Sequence, residues 1–132
     1  MLVVDTSAVI GALTGRPPSG ELMKRLAGDS DLSAPHLLDV EFLHALRRLV
    51  RDRELSEDRA ADARADFAAL TITRYEHTLV ADRVWELRHS LTAYDATFVA
   101  LAELLDAPLV TFDARLARAP GHTATVELFQ GG

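Results

Sequence analysis

The sequence predicts an α/β fold in which helices cover both faces of a central, mainly parallel sheet of about four or five short strands. Short apolar stretches rich in β-branched residues, typical of buried strands, alternate with longer segments of helical periodicity. Strands joined by helices pair in parallel, and the crossover helices form a layer on each face. At 132 residues the chain has the length of one domain, so we expect residues 1–132 to fold as a single three-layer α/β/α sandwich.

The composition excludes several kinds of site. The chain has no cysteine, which rules out disulfides and thiolate ligands, and its five histidines never fall into metal-ligand spacing. Any metal would therefore be held by oxygen atoms. The formal net charge of −6 argues against the basic surface of a duplex-DNA-binding protein. A nucleic-acid substrate would need a cation between it and the protein.

The hydropathy pattern argues against a membrane protein. Apolar residues make up 48% of the chain, but no apolar run approaches the length of a membrane span. No charged and then apolar signal sequence precedes Leu2. We therefore expect a cytoplasmic protein.

The chain begins with a predicted strand, two helices and a second strand. Leu2-Val3-Val4 has the pattern of a strand buried on both faces, and the Ser7 hydroxyl can cap the helix that follows. Prolines and glycines at residues 15–20 break that helix, and Gly28-Asp29-Ser30-Asp31 ends the next one. The predicted elements are a strand over residues 2–4, helices over 8–13 and 21–27, and a strand over 32–34.

The longest apolar helix is predicted over residues 36–52, directly after Pro35. Its inward stripe consists of Leu38, Phe42, Ala45, Leu46 and Leu49, widened by Leu37, Leu43 and Val50. Because this apolar surface covers more of the helix than one core can bury, we expect part of it to contact another chain. Glu41 lies at the edge of the apolar stripe, where an unpaired charge is costly.

The second half of the chain repeats the alternation of helix and strand. Ser56 is the expected cap of a helix that runs to about Leu70. The further predicted elements are a strand over 70–73, a helix over 76–90, a helix that carries Asp95 in its first turn, a strand over 108–112, a helix over 114–119 and a strand over 125–129. In the 76–90 helix, the residues expected to face inward are Leu79, Val80, Val84 and Leu87. Trp85 is expected in the core, and His36 and His44 are expected to be structural.

Four carboxylates are predicted to point toward one rim of the sheet. Asp5 and Asp113 each follow a strand at its carboxyl end, which is where ligands bind in open α/β sheets. Glu41 and Asp95 lie near the starts of helices, on inward faces. A hard divalent cation explains such a cluster, because Mg²⁺ and Mn²⁺ prefer oxygen ligands. Such a cation promotes phosphodiester hydrolysis, which makes this reaction the predicted chemistry.

Each acid also has a structural interpretation. Asp5 and Asp113 can be turn or cap residues, and Thr92 with Asp95 fits a weak capping box. Glu41 lies too far inside its helix to be a cap, so its alternative is a buried pair with an arginine. Four arginines of the same region are interpreted as a solvated helix face rather than an RNA-binding track: Arg47, Arg48, Arg51 and Arg53.

Four short motifs, in this order, resemble those of the PIN-domain ribonucleases, and among them the VapC toxins of bacterial toxin–antitoxin pairs. They are Val4-Asp5-Thr6-Ser7, Pro35 with Glu41 six residues on, the segment YDATFVALA at residues 94–102, and LVTFDARL at residues 109–116. The resemblance covers the whole chain and implies a PIN-like α/β/α sandwich. By resemblance, the acidic metal-binding and catalytic residues are Asp5, Glu41, Asp95 and Asp113, with Thr6 and Ser7 supporting Asp5 and Thr111 flanking Asp113.

The resemblance also implies the activity and the partners. It implies Mg²⁺-dependent cleavage of single-stranded RNA, with Mn²⁺ as a possible substitute, inhibition by an antitoxin protein that covers the site, and a homodimeric toxin. Two alternatives stay open: an RNA-processing nuclease of the same fold without an antitoxin, and a binding domain without turnover.

Two other classes with acids at strand ends fit the sequence badly. A response-regulator receiver needs a lysine at the end of its last strand, and Lys24, the only lysine, lies in a helix far from any strand end. A haloacid-dehalogenase-type phosphatase needs a second aspartate two residues after the first, where this chain has Ser7.

A shared pocket also has a consequence for stability. Repulsion among four carboxylates should raise their pKa values above the unfolded values, so that Asp5→Ala without metal would be neutral or stabilising. Loss of a helix cap would instead cost about 0.5–2 kcal/mol.

Overall fold

Five parallel strands form one sheet at the centre of the computed structural model, which describes residues 1–29 and 31–130. The strands are β1 (Leu2–Val4), β2 (Leu32–Pro35), β3 (Ile72–Tyr75), β4 (Leu109–Thr111) and β5 (Val126–Leu128), in the spatial order β3-β2-β1-β4-β5. The predicted α/β fold with a parallel sheet is confirmed. Ser30, which the sequence places in a turn, lies outside the described residues.

Helices cover both faces of the sheet. They are α1 (Thr6–Thr14), α2 (Gly20–Ala27), α3 (Leu37–Arg51), α4 (Glu57–Ala69), α5 (Ala81–Glu86), α6 (Ala93–Leu105) and α7 (Ala114–Arg118). Neighbouring residues of a strand point to opposite faces. Leu2 packs with Ala8 of α1 and Leu22 of α2, whereas Val3 belongs to the larger core that includes Val99 of α6. Among these described helices, none has the length and apolar character needed to cross a membrane.

The predicted Ser56 cap of α4 is confirmed, because its hydroxyl accepts a hydrogen bond from the N–H of the third helical residue, Arg59. Ser19 caps α2 in the same way by accepting from the Leu22 N–H. The prediction that Ser7 caps the first helix is wrong. Asp5 is the N-cap of α1, because its carboxylate accepts from the Ala8 N–H at 2.9 Å, and the helix therefore begins at Thr6.

The segment predicted as one helix over 76–90 is divided. It forms a 3₁₀ turn at His77–Leu79 and the short α5. The His77 ring accepts a hydrogen bond from the Leu37 N–H at 2.9 Å, which holds the 3₁₀ turn against the start of α3. Leu79 is exposed, contrary to prediction, whereas Val80 and Leu87 are buried as expected.

Trp85 lies at the surface and not in the core. Its side chain is 67% exposed, and the Arg88 guanidinium stacks over the indole ring at 4.5 Å from its centroid. A cation on the ring face substitutes for the apolar neighbours that the sequence interpretation assumed.

The wide apolar surface of α3 is only partly buried within the chain. Leu38, Phe42 and Leu46 are buried, and the Phe42 ring stacks on Phe67 of α4 at a centroid distance of 4.2 Å. Leu43 remains 50% exposed, in a groove of about 660 Å³ between α3 and α4. The predicted excess of apolar surface is therefore real, but it is smaller than the sequence pattern indicates.

Candidate active site

Four acidic side chains line one cavity of about 410 Å³ at the carboxyl ends of β1 and β4. Asp5 lies between β1 and α1, Glu41 in α3, Asp95 in the first turn of α6, and Asp113 between β4 and α7. The fold thus brings together residues as distant in the sequence as Asp5 and Asp113, which are 108 positions apart. Since parallel strands end at the same edge, the sheet accounts for the proximity of Asp5 and Asp113. The helices α3 and α6 bring Glu41 and Asp95 to the same cavity.

A hydrogen-bond network fixes the Asp5 carboxylate. One oxygen accepts from the Ser7 hydroxyl at 2.7 Å and from the Ala8 N–H, and the other accepts from the Thr111 hydroxyl. The Ser7 hydroxyl also accepts from the Phe112 N–H at 3.0 Å, and Thr111 accepts from the Asp113 N–H at 2.9 Å. The ends of β1 and β4 are therefore joined through side chains, and Asp5 has little rotational freedom.

Burial raises the pKa of Asp5 to about 6, because a charged carboxylate is poorly solvated inside the protein. The hydrogen bonds from Thr111, Ser7 and Ala8 oppose this effect, and the charge of Asp113 adds the smallest contribution. The expected rise in the pKa of Asp5 is therefore confirmed, but repulsion among the carboxylates is not its main cause. Desolvation is the principal cause.

Glu41 contacts Thr6, which the resemblance assigns to the support of Asp5. The Thr6 hydroxyl donates to the Glu41 carboxylate at 2.7 Å, so Thr6 positions Glu41 and not Asp5. Glu41 is half-buried, and within the described part of the chain no arginine forms an ion pair with it. The alternative of a structural pair between Glu41 and an arginine is therefore not supported.

Asp95 and Asp113 flank the guanidinium of Arg115. Two nitrogens of Arg115 bond the two oxygens of Asp113, one at 3.1 Å and the other shorter, and Nη2 lies 3.4 Å from the Asp95 carboxylate. Hydrogen bonds from Arg115 lower the pKa of Asp113, opposite to the rise that repulsion would cause. Asp113 also caps α7 by accepting from the Arg115 N–H at 2.9 Å.

The donors of the cavity fit a hard divalent cation, although they are not gathered into a ligand cluster. Across residues 1–29 and 31–130, no three His, Cys, Asp or Glu side chains lie close enough to hold a metal as they stand. The four acids nevertheless offer only oxygen atoms, which Mg²⁺ and Mn²⁺ prefer. A cationic group already lies between two of them, since the Arg115 guanidinium contacts both Asp95 and Asp113.

Basic side chains form another part of the cavity wall, and the sequence interpretation did not assign them to the site. They are Arg16 after α1, and His44 and Arg48 on α3. His44 was interpreted as structural, but it is exposed and lines the cavity. The spacing in the sequence could have identified His44 and Arg48, because residues three and seven positions after Glu41 lie on the same face of a helix. Arg48 is exposed as predicted for a solvated face, yet it also borders the acids.

Residues 2–122 match the PIN domain family. The chain belongs to the PIN-domain family. One relative, Ribonuclease VapC1 of Mycobacterium tuberculosis (strain ATCC 25618 / H37Rv), is 46% identical over 127 residues, which are 96% of both chains. The resemblance to VapC-type PIN domains is thereby confirmed.

Solved structures share the fold of this PIN domain. The crystal structure of PAE2754 from Pyrobaculum aerophilum has a TM-score of 0.67 and 25% sequence identity, and the match covers 95% of this chain and 82% of that one. A second, of VapBC2 from Rickettsia felis bound to a DNA fragment from their promoter, has a TM-score of 0.66, with 11% identity and 98% of both chains covered. At that identity the second likeness concerns the fold alone.

Proposed function

We propose that this PIN domain is an endoribonuclease that requires Mg²⁺, or Mn²⁺ in its place, and cleaves single-stranded RNA. One observation carries the proposal: four carboxylates from separate segments line a single cavity at the carboxyl edge of the sheet. The name of the 46% identical relative, a ribonuclease, supports the assignment of RNA as the substrate.

The residues that would hold the metal are Asp5, Glu41, Asp95 and Asp113. A bound Mg²⁺ supplies positive charge that polarises a phosphoryl oxygen and makes water a better nucleophile at neutral pH. The chain supplies orientation, since hydroxyl groups fix the carboxylates of Asp5 and Glu41.

The basic part of the wall would position the substrate. Arg16, His44 and Arg48 line the same cavity as the acids, and neither arginine forms an ion pair within the described residues. Guanidinium groups bind phosphate oxygens well. We expect them to contact the phosphates next to the scissile bond, which would offset the repulsion between RNA and a chain of net charge −6.

We also propose that the protein is the toxin of a toxin–antitoxin pair, that it forms a homodimer, and that a cognate antitoxin covers the cavity. The VapC name of the relatives supports this role. A small antitoxin gene immediately upstream of the coding sequence would distinguish a toxin from an RNA-processing nuclease of the same fold.

The activity is tested on a pool of single-stranded RNAs of randomised sequence, with cleavage read by sequencing. We expect cleavage in Mg²⁺ or Mn²⁺ and none in EDTA. Asp5→Asn and Asp95→Asn should lower the rate by more than about 100-fold, because losing even an outer partner of a metal ligand typically costs about 10–100-fold.

The matched control is Asp62→Asn, which makes the same change of charge at an exposed position of α4. It should leave the rate unchanged. Cleavage that persists in EDTA, or in Asp5→Asn, would contradict the proposal.

A further inference from the structure

Arg115 occupies a particular place among the acids of the cavity. It lies in the first turn of α7, two residues after Asp113, and its guanidinium spans the gap to Asp95 on α6. Nε and Nη2 bond the two oxygens of Asp113 in a fork, and Nη2 also lies 3.4 Å from Asp95. One guanidinium thus pairs with two carboxylates, one in α6 and one at the start of α7.

The contacts of Arg115 leave little room for a second cation on the same atoms. One oxygen of Asp113 already accepts from both the Arg115 backbone N–H and Nε, and the other accepts from Nη2. A divalent ion that used the second oxygen would meet the guanidinium in its path. The divalent ion and the guanidinium are both positive and would lie next to each other, so they repel each other and compete for the carboxylates.

Nothing else within the described residues holds the guanidinium in place. Its hydrogen bonds go to Asp113 and Asp95 alone, and the Arg115 side chain is 67% exposed. Ion pairs of such exposure contribute little free energy, so the side chain can leave the acids at small cost.

From these contacts we propose that Arg115 is an internal counter-ion of the Asp95–Asp113 pair. A divalent cation must displace the Arg115 guanidinium in order to bind these two acids. This inference rests on the proposed metal site and adds a positioning residue to it. Before the metal arrives, the arginine offsets part of the negative charge of the pair, and it lowers the affinity for the metal by competition. Arg115 also lines, together with Asp95, an adjoining cavity of about 370 Å³. Once displaced from the acids, its guanidinium can contact a phosphate of the RNA from there.

The neighbouring Arg118 supplies a matched control. It lies three residues further along α7 and borders, with Asp95 and Arg115, an adjoining cavity of about 370 Å³. Its charge lowers the pKa of Asp113 through space, but it forms no hydrogen bond or ion pair with either acid in the described structure. Removing Arg118 therefore changes the net charge equally without removing the contact.

The test measures the binding of Mn²⁺ to the metal-free full chain, with unbound Mn²⁺ counted by electron paramagnetic resonance. The proteins are the parent, Arg115→Ala, Arg115→Lys, Arg118→Ala and Asp95→Asn. We expect Arg115→Ala to bind Mn²⁺ about 2–5-fold more tightly than the parent, the range expected for loss of an exposed ion pair. Arg118→Ala should change the affinity less than Arg115→Ala does. Arg115→Lys should fall between the parent and Arg115→Ala, because an ammonium keeps the charge and loses the fork.

The outcomes separate the two proposals. The metal site stands if the parent binds Mn²⁺ and Asp95→Asn lowers the affinity. If, in addition, Arg115→Ala binds Mn²⁺ no more tightly than the parent or than Arg118→Ala, the counter-ion inference is wrong. If neither the parent nor Arg115→Ala binds Mn²⁺, the proposed metal site is wrong, and the counter-ion inference fails with it. Chemical denaturation of each variant in EDTA verifies that it is folded, which the exposure of Arg115 leads us to expect.

Discussion

At the scale of single residues, Asp5 combines two roles that the sequence interpretation treated as alternatives. It caps α1, and it lines the cavity with the other acids. Asp5→Ala would therefore remove the cap and leave the Ser7 and Thr111 hydroxyls without their acceptor, while also relieving a buried charge. These effects have opposite signs, so Asp5→Ala cannot distinguish a cap from a cavity residue.

Asp5→Asn is the informative change, because the amide keeps one of the two acceptor oxygens and removes the charge. Its NH₂ group can donate to the Thr111 hydroxyl oxygen. The pKa of Asp5 is raised to about 6 in the folded protein, so the parent should gain stability as the pH falls through 6 toward the unfolded value of 3.8. In EDTA at about pH 7.5, we expect Asp5→Asn to be roughly 1–3 kcal/mol more stable than the parent. The difference should shrink at about pH 5, as measured by urea denaturation.

Asp113→Asn is the control for this prediction. Asp113 also caps a helix after a strand, but hydrogen bonds from Arg115 lower its pKa. Loss of this charge should destabilise the protein at neutral pH, which is the opposite sign. If Asp5→Asn is no more stable than the parent at either pH, burial does not govern the ionisation of Asp5.

At the scale of secondary-structure elements, the Glu103 carboxylate on α6 joins three segments of the chain. Two nitrogens of Arg83 on α5 donate to its carboxylate at 2.7 and 3.0 Å, and the Thr123 N–H donates at 2.7 Å. Arg83 also donates to the Gly121 carbonyl at 2.8 Å. This network connects α5 and α6 to the segment before β5, and so stabilises the short α5, which has few residues of its own.

Glu103→Gln should destabilise the protein, because a glutamine cannot accept the paired bonds as an anion does. Hydrogen bonds from Arg83 lower the pKa of Glu103 from 4.5 to about 2, and the stability from this shift is present above pH 4.5 and is lost as the pH falls toward 2. We expect Glu103→Gln to lower the free energy of unfolding by roughly 1–3 kcal/mol at neutral pH, as measured by guanidinium chloride denaturation. The loss is smaller than the full pKa shift implies, because solvent screens the ion pair. The gap to the parent should close on acidification through that window.

Glu86→Gln tests whether the effect belongs to the buried partner. Glu86 lies 3.7 Å from the same Arg83, but its side chain is 60% exposed, against 11% for Glu103. It should change the stability by less than about 0.5 kcal/mol. Equal losses in the two variants would show that the network is not what stabilises α5.

At the scale of the whole molecule, the groove between α3 and α4 is a candidate contact surface for another chain. Its apolar floor includes Leu43, Leu46 and Val50. Three arginines border it: Arg47, Arg51 and Arg64. A partner segment with apolar residues flanked by acids would match this surface in charge, as electrostatic complementarity requires.

Leu43→Lys should weaken association with a co-expressed antitoxin, or of the chain with itself, by at least about tenfold, because it places a charge on the apolar floor of the groove. The side chain is 50% exposed, so the stability of the isolated chain should change by only about 0.5 kcal/mol. Sedimentation velocity measures the association.

Leu104→Lys provides the comparison, since Leu104 is 56% exposed but lies on α6, away from this groove. It should leave the association unchanged. A parent chain that sediments as a monomer and binds no co-expressed antitoxin would contradict the expected contact.

Local sequence features predict the alternation of strands and helices and the positions of the acids within them. β1 and β4 are short apolar runs, and an aspartate follows each at the start of a helix. These features depend on residues adjacent in the chain, through burial of both strand faces and capping of helix ends. For the same reason α2, α4 and α6 occur close to their predicted positions.

Packing between distant parts of the chain sets the strand order β3-β2-β1-β4-β5, the bond from Thr6 to Glu41, and the place of Arg115 between Asp95 and Asp113. It also decided the division of the segment 76–90 and the exposure of Trp85. Periodicity reports which face of a segment is apolar, but not which partner another part of the chain will present to it. The hydroxyls and guanidinium that complete the site come from such distant partners, because the energy of a side chain depends on its neighbours in space.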